Sequence, residues 1–224
     1  MKLLEEFGLT NEQISKFQRY LDLLLEWNAK FNLTAITDKD EIEEKHFIDS
    51  IELIKYFDVK NKTLLDVGSG AGFPGIPLAI VEPSLSVTLL ESNGKRISFL
   101  REVVKELNLK NVEVIQGRSE ELGTREKYDI VTARAVKELN VLLEITFYLV
   151  KIGGYFIAYK SAGVDDEILN AKQAFKCLQI DEFKKFDYSL PKSKNCRVFL
   201  GILKKYKTQK KYPRKYGEIT KQPL

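Results

Sequence analysis

The sequence predicts an α/β fold: a mostly parallel, Rossmann-like sheet with helices on both faces and a helical extension at its N-terminus. Three observations lead there. Short apolar strand patterns alternate with helical stretches after residue 60, a glycine-rich loop follows the first strand, and no strand pattern precedes it. Strands separated by helices need crossover connections, which make neighbours parallel and bury both sheet faces.

The elements run in order along the chain. Residues 11–31 carry Ile14, Phe17, Leu21, Leu24, Leu25 and Phe31 at mostly helical intervals, and residues 39–57 carry Ile42, Phe47, Ile51 and Ile54. Both spacings predict amphipathic helices, so residues 1–60 read as a helical cap packed on the α/β domain. Within it Trp27 and Phe31 are expected in the core, His46 as a hydrogen-bonded packing residue, and Asp49 and Ser50 as caps of the next turn. Strands are expected over 63–67, 86–91, 111–116, 128–133 and 155–160, with helices over 76–81, 95–107, 136–150 and 165–178. "EFKKFDYSLP" and "CRVFLGILKK" come next with only a short connection, which suits an antiparallel hairpin at the sheet edge. Residues 61–205 thus form the α/β domain, and 206–224 a basic C-terminal tail.

Composition narrows the function. The chain has 224 residues, 44% of them hydrophobic, enough for one large core. Two separated cysteines and a single histidine argue against a disulfide framework and against a metal site. With no leader pattern and no long apolar run, the chain is expected to be cytoplasmic, off the membrane and monomeric. Net charge is +4, but residues 184–215 hold twelve Lys or Arg against one acid, +11, while the remainder carries −7. Such an asymmetry is the footprint of a polyanion partner. Tyr206, Tyr212 and Tyr216 interleave with these bases and offer stacking as well as phosphate contacts, which favours nucleic acid over a merely solvated tail. Lys95 and Arg96 open a helix, where bases oppose the dipole, so phosphate contact is one reason for them and pairing with Glu91 another. The candidate RNA contacts are Lys95, Arg96, Lys160, Arg197, Arg214 and Lys215.

The loop "LLDVGSGAGFPGIP" places Gly68, Gly70, Gly72 and Gly75 within eight positions. Glycine permits positive φ and leaves a ligand room, and Pro74 suits the first turn of a helix. Three ligands compete for it. A P-loop needs Lys and Ser/Thr after its last glycine, whereas Pro77 and Leu78 stand there, so that reading fails. A dinucleotide loop needs G-x-G-x-x-G, and Phe73 occupies the third glycine's place, so an NAD-dependent oxidoreductase is weakened without being removed. S-adenosylmethionine carries no phosphate, and its amino-acid end suits loop N–H groups and Asp66. Glu91 closes the second strand, where a carboxylate meets ribose hydroxyls, and Ser119 and Glu120 after the third strand face an adenine amino edge.

With a methyl donor, the segment after the fourth strand bears on the acceptor. "TARAVKEL" holds no Asn/Asp-Pro-Pro turn for an exocyclic amine, no cysteine nucleophile for pyrimidine carbon and no base for a hydroxyl. An acceptor already nucleophilic, such as guanine N7, needs no general base, and alignment with a charge-tolerant site is then the main catalytic requirement. Arg134 can reach either the cofactor or the guanine; an ion pair with Asp129 or a nearby acid is the plain alternative.

The motifs "LLDVGSGAGFPGIPLAI", "ESNGKRISFL", "GRSEE", "VTARAV", "WNAKFNLTAI", "HFIDS" and "KYPRKYGEITKQPL", in this order of strands and cap, resemble the bacterial glucose-inhibited division protein B (RsmG) family over residues 21–224. The resemblance implies a class I S-adenosylmethionine-dependent methyltransferase fold with an N-terminal helical extension. It also implies N7 methylation of a guanine in the decoding-region loop of 16S rRNA, free or within the small ribosomal subunit. The family's cofactor contacts fall on Gly68, Phe73, Ser119, Glu120 and Arg134. Ser119 stands where the family usually has alanine, and Glu91 where many members have aspartate. A small-molecule methyltransferase leaves the +11 segment without a purpose. A non-catalytic rRNA-binding or ribosome assembly protein with a cofactor-type pocket is the alternative function.

Overall fold

A computed structural model describes residues 1–134 and 137–224. The chain begins with α1 (Lys2–Glu6) and α2 (Asn11–Phe31). Thr10 starts α2 through a capping box with Gln13, and Asn32 ends it in a left-handed conformation, φ 49°. Phe17, Tyr20, Leu21 and Leu24 form its buried face. Phe31, expected in the core, is 38% exposed at the last turn.

The second cap helix departs from the even periodicity expected for 39–57. It is α3 (Lys39–Ile42), a π-helical turn (Glu43–Ile48), α4 (Asp49–Ile51) and a 3-10 turn (Glu52–Lys55). Distant partners hold the wide turn. Glu43 accepts the Leu4 N–H at 3.2 Å, and Glu44 accepts those of Lys192 and Ser193 at 2.5 and 2.7 Å. Such a π turn costs regular helical bonding and is kept where tertiary contacts compensate.

The sheet contains β1 (Thr63–Val67), β2 (Ser86–Glu91), β3 (Val112–Gln116), β4 (Tyr128–Arg134), β5 (Val150–Ser161), β6 (Lys184–Ser189) and β7 (Cys196–Leu203). Their order is β3-β2-β1-β4-β5-β7-β6. β1 to β5 run parallel, β7 lies antiparallel to β5, and β6 closes the edge as the hairpin predicted. The order reverses at β1 and β4, and a ligand crevice opens beyond strand ends at such a switch. Between the strands run α5 (Gly75–Val81), α6 (Gly94–Glu106), α7 (Leu139–Thr146), α8 (Val164–Asn170) and α9 (Lys172–Leu178).

Two helices are shorter than their patterns imply. The helix expected over 136–150 is α7 followed by a 3-10 turn, Phe147–Leu149, and its first residue, Val136, lies outside the described residues. Beyond it Val150 already pairs with Tyr128, so the sheet claims residues the pattern assigned to a helix. The stretch 165–178 splits into α8 and α9 around the fully buried Ala171.

The C-terminal segment does not hang free. Thr208, Tyr212 and Ile219 are buried, the Arg125 guanidinium donates to the carbonyls of Thr208, Gln209 and Tyr212, and α10 (Tyr216–Lys221) lies against α7 through Ile219.

Candidate active site

The glycine loop joins β1 to α5. Gly68, Gly70 and Gly72 all hold positive φ, 69°, 59° and 97°, the region in which side chains strain the backbone. At Gly72 a Cβ would also lie 2.5 Å from Ile76 and 2.7 Å from the Tyr20 hydroxyl of the cap. That hydroxyl donates to the carbonyl of Ala71, and the Tyr20 ring lies beside Phe73 at 5.5 Å. The cap therefore shapes the loop directly.

Most loop N–H groups turn toward the protein. Gly68 and Ser69 donate to Leu90 O, Gly72 and Phe73 to Ser69 O, and Gly70 to Glu91 Oε2 at 3.0 Å. Glu91, at the end of β2, also takes the N–H groups of Ser92 and Asn93 on Oε1, both at 2.8 Å. It thus fastens the loop to β2. The expectation that loop amides hold a carboxylate is corrected to this extent: five of them are already engaged within the fold.

Asp66 needs a similar correction. Its carboxylate is fully buried beneath the loop, accepting Gly75 N–H on Oδ2 at 3.1 Å and the Thr132 hydroxyl on Oδ1 at 3.2 Å. Burial raises its pKa to about 6 despite those bonds. It supports the strand–loop–helix junction and does not face the crevice.

After β3 a 3-10 turn, Ser119–Glu121, carries the predicted pair. The Ser119 hydroxyl donates to Glu120 Oε2 at 3.3 Å, while Glu120 Oε1 is buried with no hydrogen-bond partner among the described residues. Arg118 approaches that oxygen only to 3.8 Å. A buried carboxylate oxygen without a donor is costly, and a donor brought to it would recover that cost.

Arg134 ends β4, and its partners are not the ones its sequence neighbourhood offers. Asp129 is taken by Thr63 and Lys151. Arg134 instead reaches the cap: Nη1 donates to Asp49 Oδ2 at 3.1 Å and Lys45 O at 3.3 Å, and Nη2 to His46 Nδ1 at 3.2 Å. Its guanidinium carbon stands 4.9 Å from the Phe73 ring centre, and the His46 ring stacks on the same Phe73 at 4.5 Å. Asp49 Oδ1 meanwhile accepts from Tyr188 at 2.9 Å and lies 3.3 Å from Arg197 Nε. Beside this cluster opens a cavity of about 740 Å³, lined by His46, Asp49, Arg134, Tyr159, Lys160 and Arg197 among others.

Sequence reasoning did not place His46, Asp49 and Tyr159 on the wall of this cavity. A signal existed: the chain's one histidine lies three residues before an aspartate in a helical stretch, which places both on one face.

The predicted RNA contacts are scattered. Arg197 and Lys160 line the cavity, with Lys160 paired to Glu167. Lys95 lies over Phe31 at 5.5 Å, and Arg96 stands 3.6 Å from Glu91. Arg214 is turned inward: Nε and Nη2 grip both oxygens of the fully buried Glu144 at 2.8 and 2.6 Å. Lys215 is exposed at the start of α10. Among the described residues no cluster suited to a metal ion occurs, and no helix is long and apolar enough to cross a membrane.

Comparison with known proteins agrees with this architecture. Among solved structures, M. jannaschii TYW2 in complex with AdoMet superposes with a TM-score of 0.56 at 18% identity, covering 70% of this chain and 74% of that one. A methyltransferase from Pyrococcus furiosus gives 0.59 at 17%, covering 86% and 99%. These likenesses establish the class I methyltransferase fold. The "Ribosomal RNA small subunit methyltransferase G" of Lachnoclostridium phytofermentans is 48% identical over 221 residues, 96% of this chain and 91% of that protein. Residues 13–194 match the GidB family, described as rRNA small subunit methyltransferase G, and the chain belongs to that family.

Proposed function

We propose that the protein transfers a methyl group from S-adenosylmethionine to N7 of a guanine in the decoding-region loop of 16S rRNA, free or within the small subunit. The observation that carries the cofactor is the Glu120 Oε1 without a hydrogen-bond partner among the described residues, just past the end of β3, on the same strand-end side of the parallel sheet as the loop of three positive-φ glycines after β1. The residues fit that group: Glu120 would take the adenine amino group beside Ser119, Glu91 the ribose, and Arg134 the carboxylate, with Gly68 and Phe73 along its length. Bound there, S-adenosylmethionine supplies an electrophilic methyl on a sulfonium.

The chain's own residues do the rest. His46 has both ring nitrogens engaged, with Thr34 and Arg134, and burial together with Arg134 lowers its pKa to about 3. Tyr159 donates to Ser50 O and Tyr188 to Asp49. Groups bound this way do not collect a proton, which favours an acceptor that loses none; the N7 lone pair is such an acceptor. The cavity beside Arg134 has the lining for a polar base, and Lys160 and Arg197 on its wall suit the backbone of an RNA. Catalysis then rests on alignment and on a site that tolerates charge passing from sulfur to purine.

The test is transfer from labelled S-adenosylmethionine to small subunits and to rRNA from a strain lacking the modification, followed by nucleoside analysis. Label in N7-methylguanosine is expected. Binding of cofactor and rRNA without transfer would favour a non-catalytic assembly role instead.

A further inference from the structure

We propose that His46, carried by the cap, is the positioning residue that holds Arg134 toward the carboxylate of the cofactor. The inference rests on the S-adenosylmethionine reading and adds to it a residue outside the methyltransferase sheet.

An arginine at a strand end has four side-chain torsions to fix before its charge is of use, and a fixed fork loses less on binding. Arg134 is fixed from three sides. Asp49 and the Lys45 carbonyl take the two hydrogens of Nη1, His46 takes one from Nη2, and the Phe73 ring lies beneath. Nε–H and one Nη2–H then have no acceptor among the described residues, and a carboxylate accepts two such parallel donors.

The chemistry of the His46 contact admits one tautomer. A guanidinium only donates, so Nδ1 must be the bare nitrogen. Nε2 then carries the proton and donates to Thr34 Oγ1 at 2.9 Å, an oxygen that also accepts the Ile36 N–H at 3.1 Å. Arg134 thereby sets the ring's tautomer, and Thr34, as acceptor of the Nε2 proton, anchors the ring in the orientation that meets the arginine. His46 also stacks on Phe73 with the planes 21° apart, so one ring of the glycine loop aligns imidazole and guanidinium together. Among the described residues Asp49 is the carboxylate in direct contact with Arg134; His46 and Lys45 O supply direction.

The prediction separates His46 from a merely structural residue. His46→Leu keeps bulk and removes the acceptor, His46→Asn can return an acceptor oxygen near the Nδ1 position, and Thr34→Val removes the hydroxyl that anchors the ring together with the acceptor of the Ile36 N–H. Binding is measured by calorimetry with S-adenosylmethionine and with methylthioadenosine, which keeps the adenosyl part and lacks the carboxylate. We expect His46→Leu to weaken S-adenosylmethionine at least tenfold and Thr34→Val about threefold, with His46→Asn within threefold of the parent. Methylthioadenosine should bind all four proteins alike. Equal loss of both ligands, or no loss in either the Leu or the Val protein, overturns the role of His46. A parent protein that binds neither ligand overturns the cofactor reading itself, a result distinct from either.

Discussion

In the cap, Lys45, His46 and Asp49 converge on Arg134 and on the cavity wall. In the C-terminal segment, the most basic stretch of the chain, Arg214 turns away from solvent onto buried Glu144. The sequence pattern assigns these regions the opposite tasks, packing to the first and polyanion contact to the second. Charge density along a chain measures what a segment carries, whereas a site depends on what each charge meets after folding. An acidic cap can therefore brace an arginine on the cavity wall while a basic segment commits one of its own arginines to packing.

The sharpest way to break this comparison is Arg214→Ala. It leaves the fully buried Glu144 carboxylate the backbone N–H of residue 214 at 3.1 Å but no countercharge, and loss of one member of such a pair costs about 3–5 kcal/mol. Urea or thermal unfolding should show that loss, and replacing both residues with apolar ones should recover most of it. A variant of unchanged stability that binds RNA poorly would return Arg214 to the nucleic-acid surface.

On the cap side, Arg134→Lys retains the charge facing Asp49 and removes the fork. S-adenosylmethionine affinity should fall by about 1.5–3 kcal/mol, the range for hydrogen bonds to a charged group, with little change in melting temperature. Undiminished affinity in a calorimetric titration would take Arg134 out of the cofactor site.

Acid titration contrasts two buried groups of the site. His46 is held neutral with a pKa of about 3, so below its ordinary value of 6.5 the unfolded chain binds the extra proton, and stability declines as pH falls from 6.5. For Asp66, raised by burial to about 6, the folded protein binds the extra proton between about 3.8 and 6, and stability declines as pH rises through that window. Between pH 4 and 6 the two slopes oppose each other. Asp66→Asn should unmask the histidine and steepen the loss on acidification by up to about 1.4 kcal/mol per pH unit. Parallel urea midpoints for both proteins across that window would refute the assignment.

The smallest effect belongs to Lys215→Ala. The side chain is exposed, so stability should move by less than about 0.5 kcal/mol. If it meets RNA, the slope of log K against log salt should drop by about one unit. An unaltered slope leaves it a solvated lysine.

Much of the framework was legible in the residues. The predicted helix 11–31 and strand 63–67 match their observed bounds, and Gly68, Gly70 and Gly72 adopt the positive φ their spacing implied. Glu91, the Ser119–Glu120 pair and Arg134 stand at or just past the ends of β2, β3 and β4, where strand boundaries alone put them. The π turn at Glu43–Ile48 was illegible, because contacts from Leu4, Lys192 and Ser193 sustain it. The same holds for Arg134, whose partners lie 85 to 89 positions away, and for Arg214, 70 positions from Glu144.

By itself the sequence determined the parallel sheet, its antiparallel hairpin, the cap and the position of the glycine loop. Those arise from side-chain periodicity and from the φ range of individual residues, which are local properties. Only the tertiary structure decided which charges line the cavity and which are engaged within the fold. The strength of an ion pair depends on distance and on the water excluded around it, and neither exists until segments far apart in the chain have packed together.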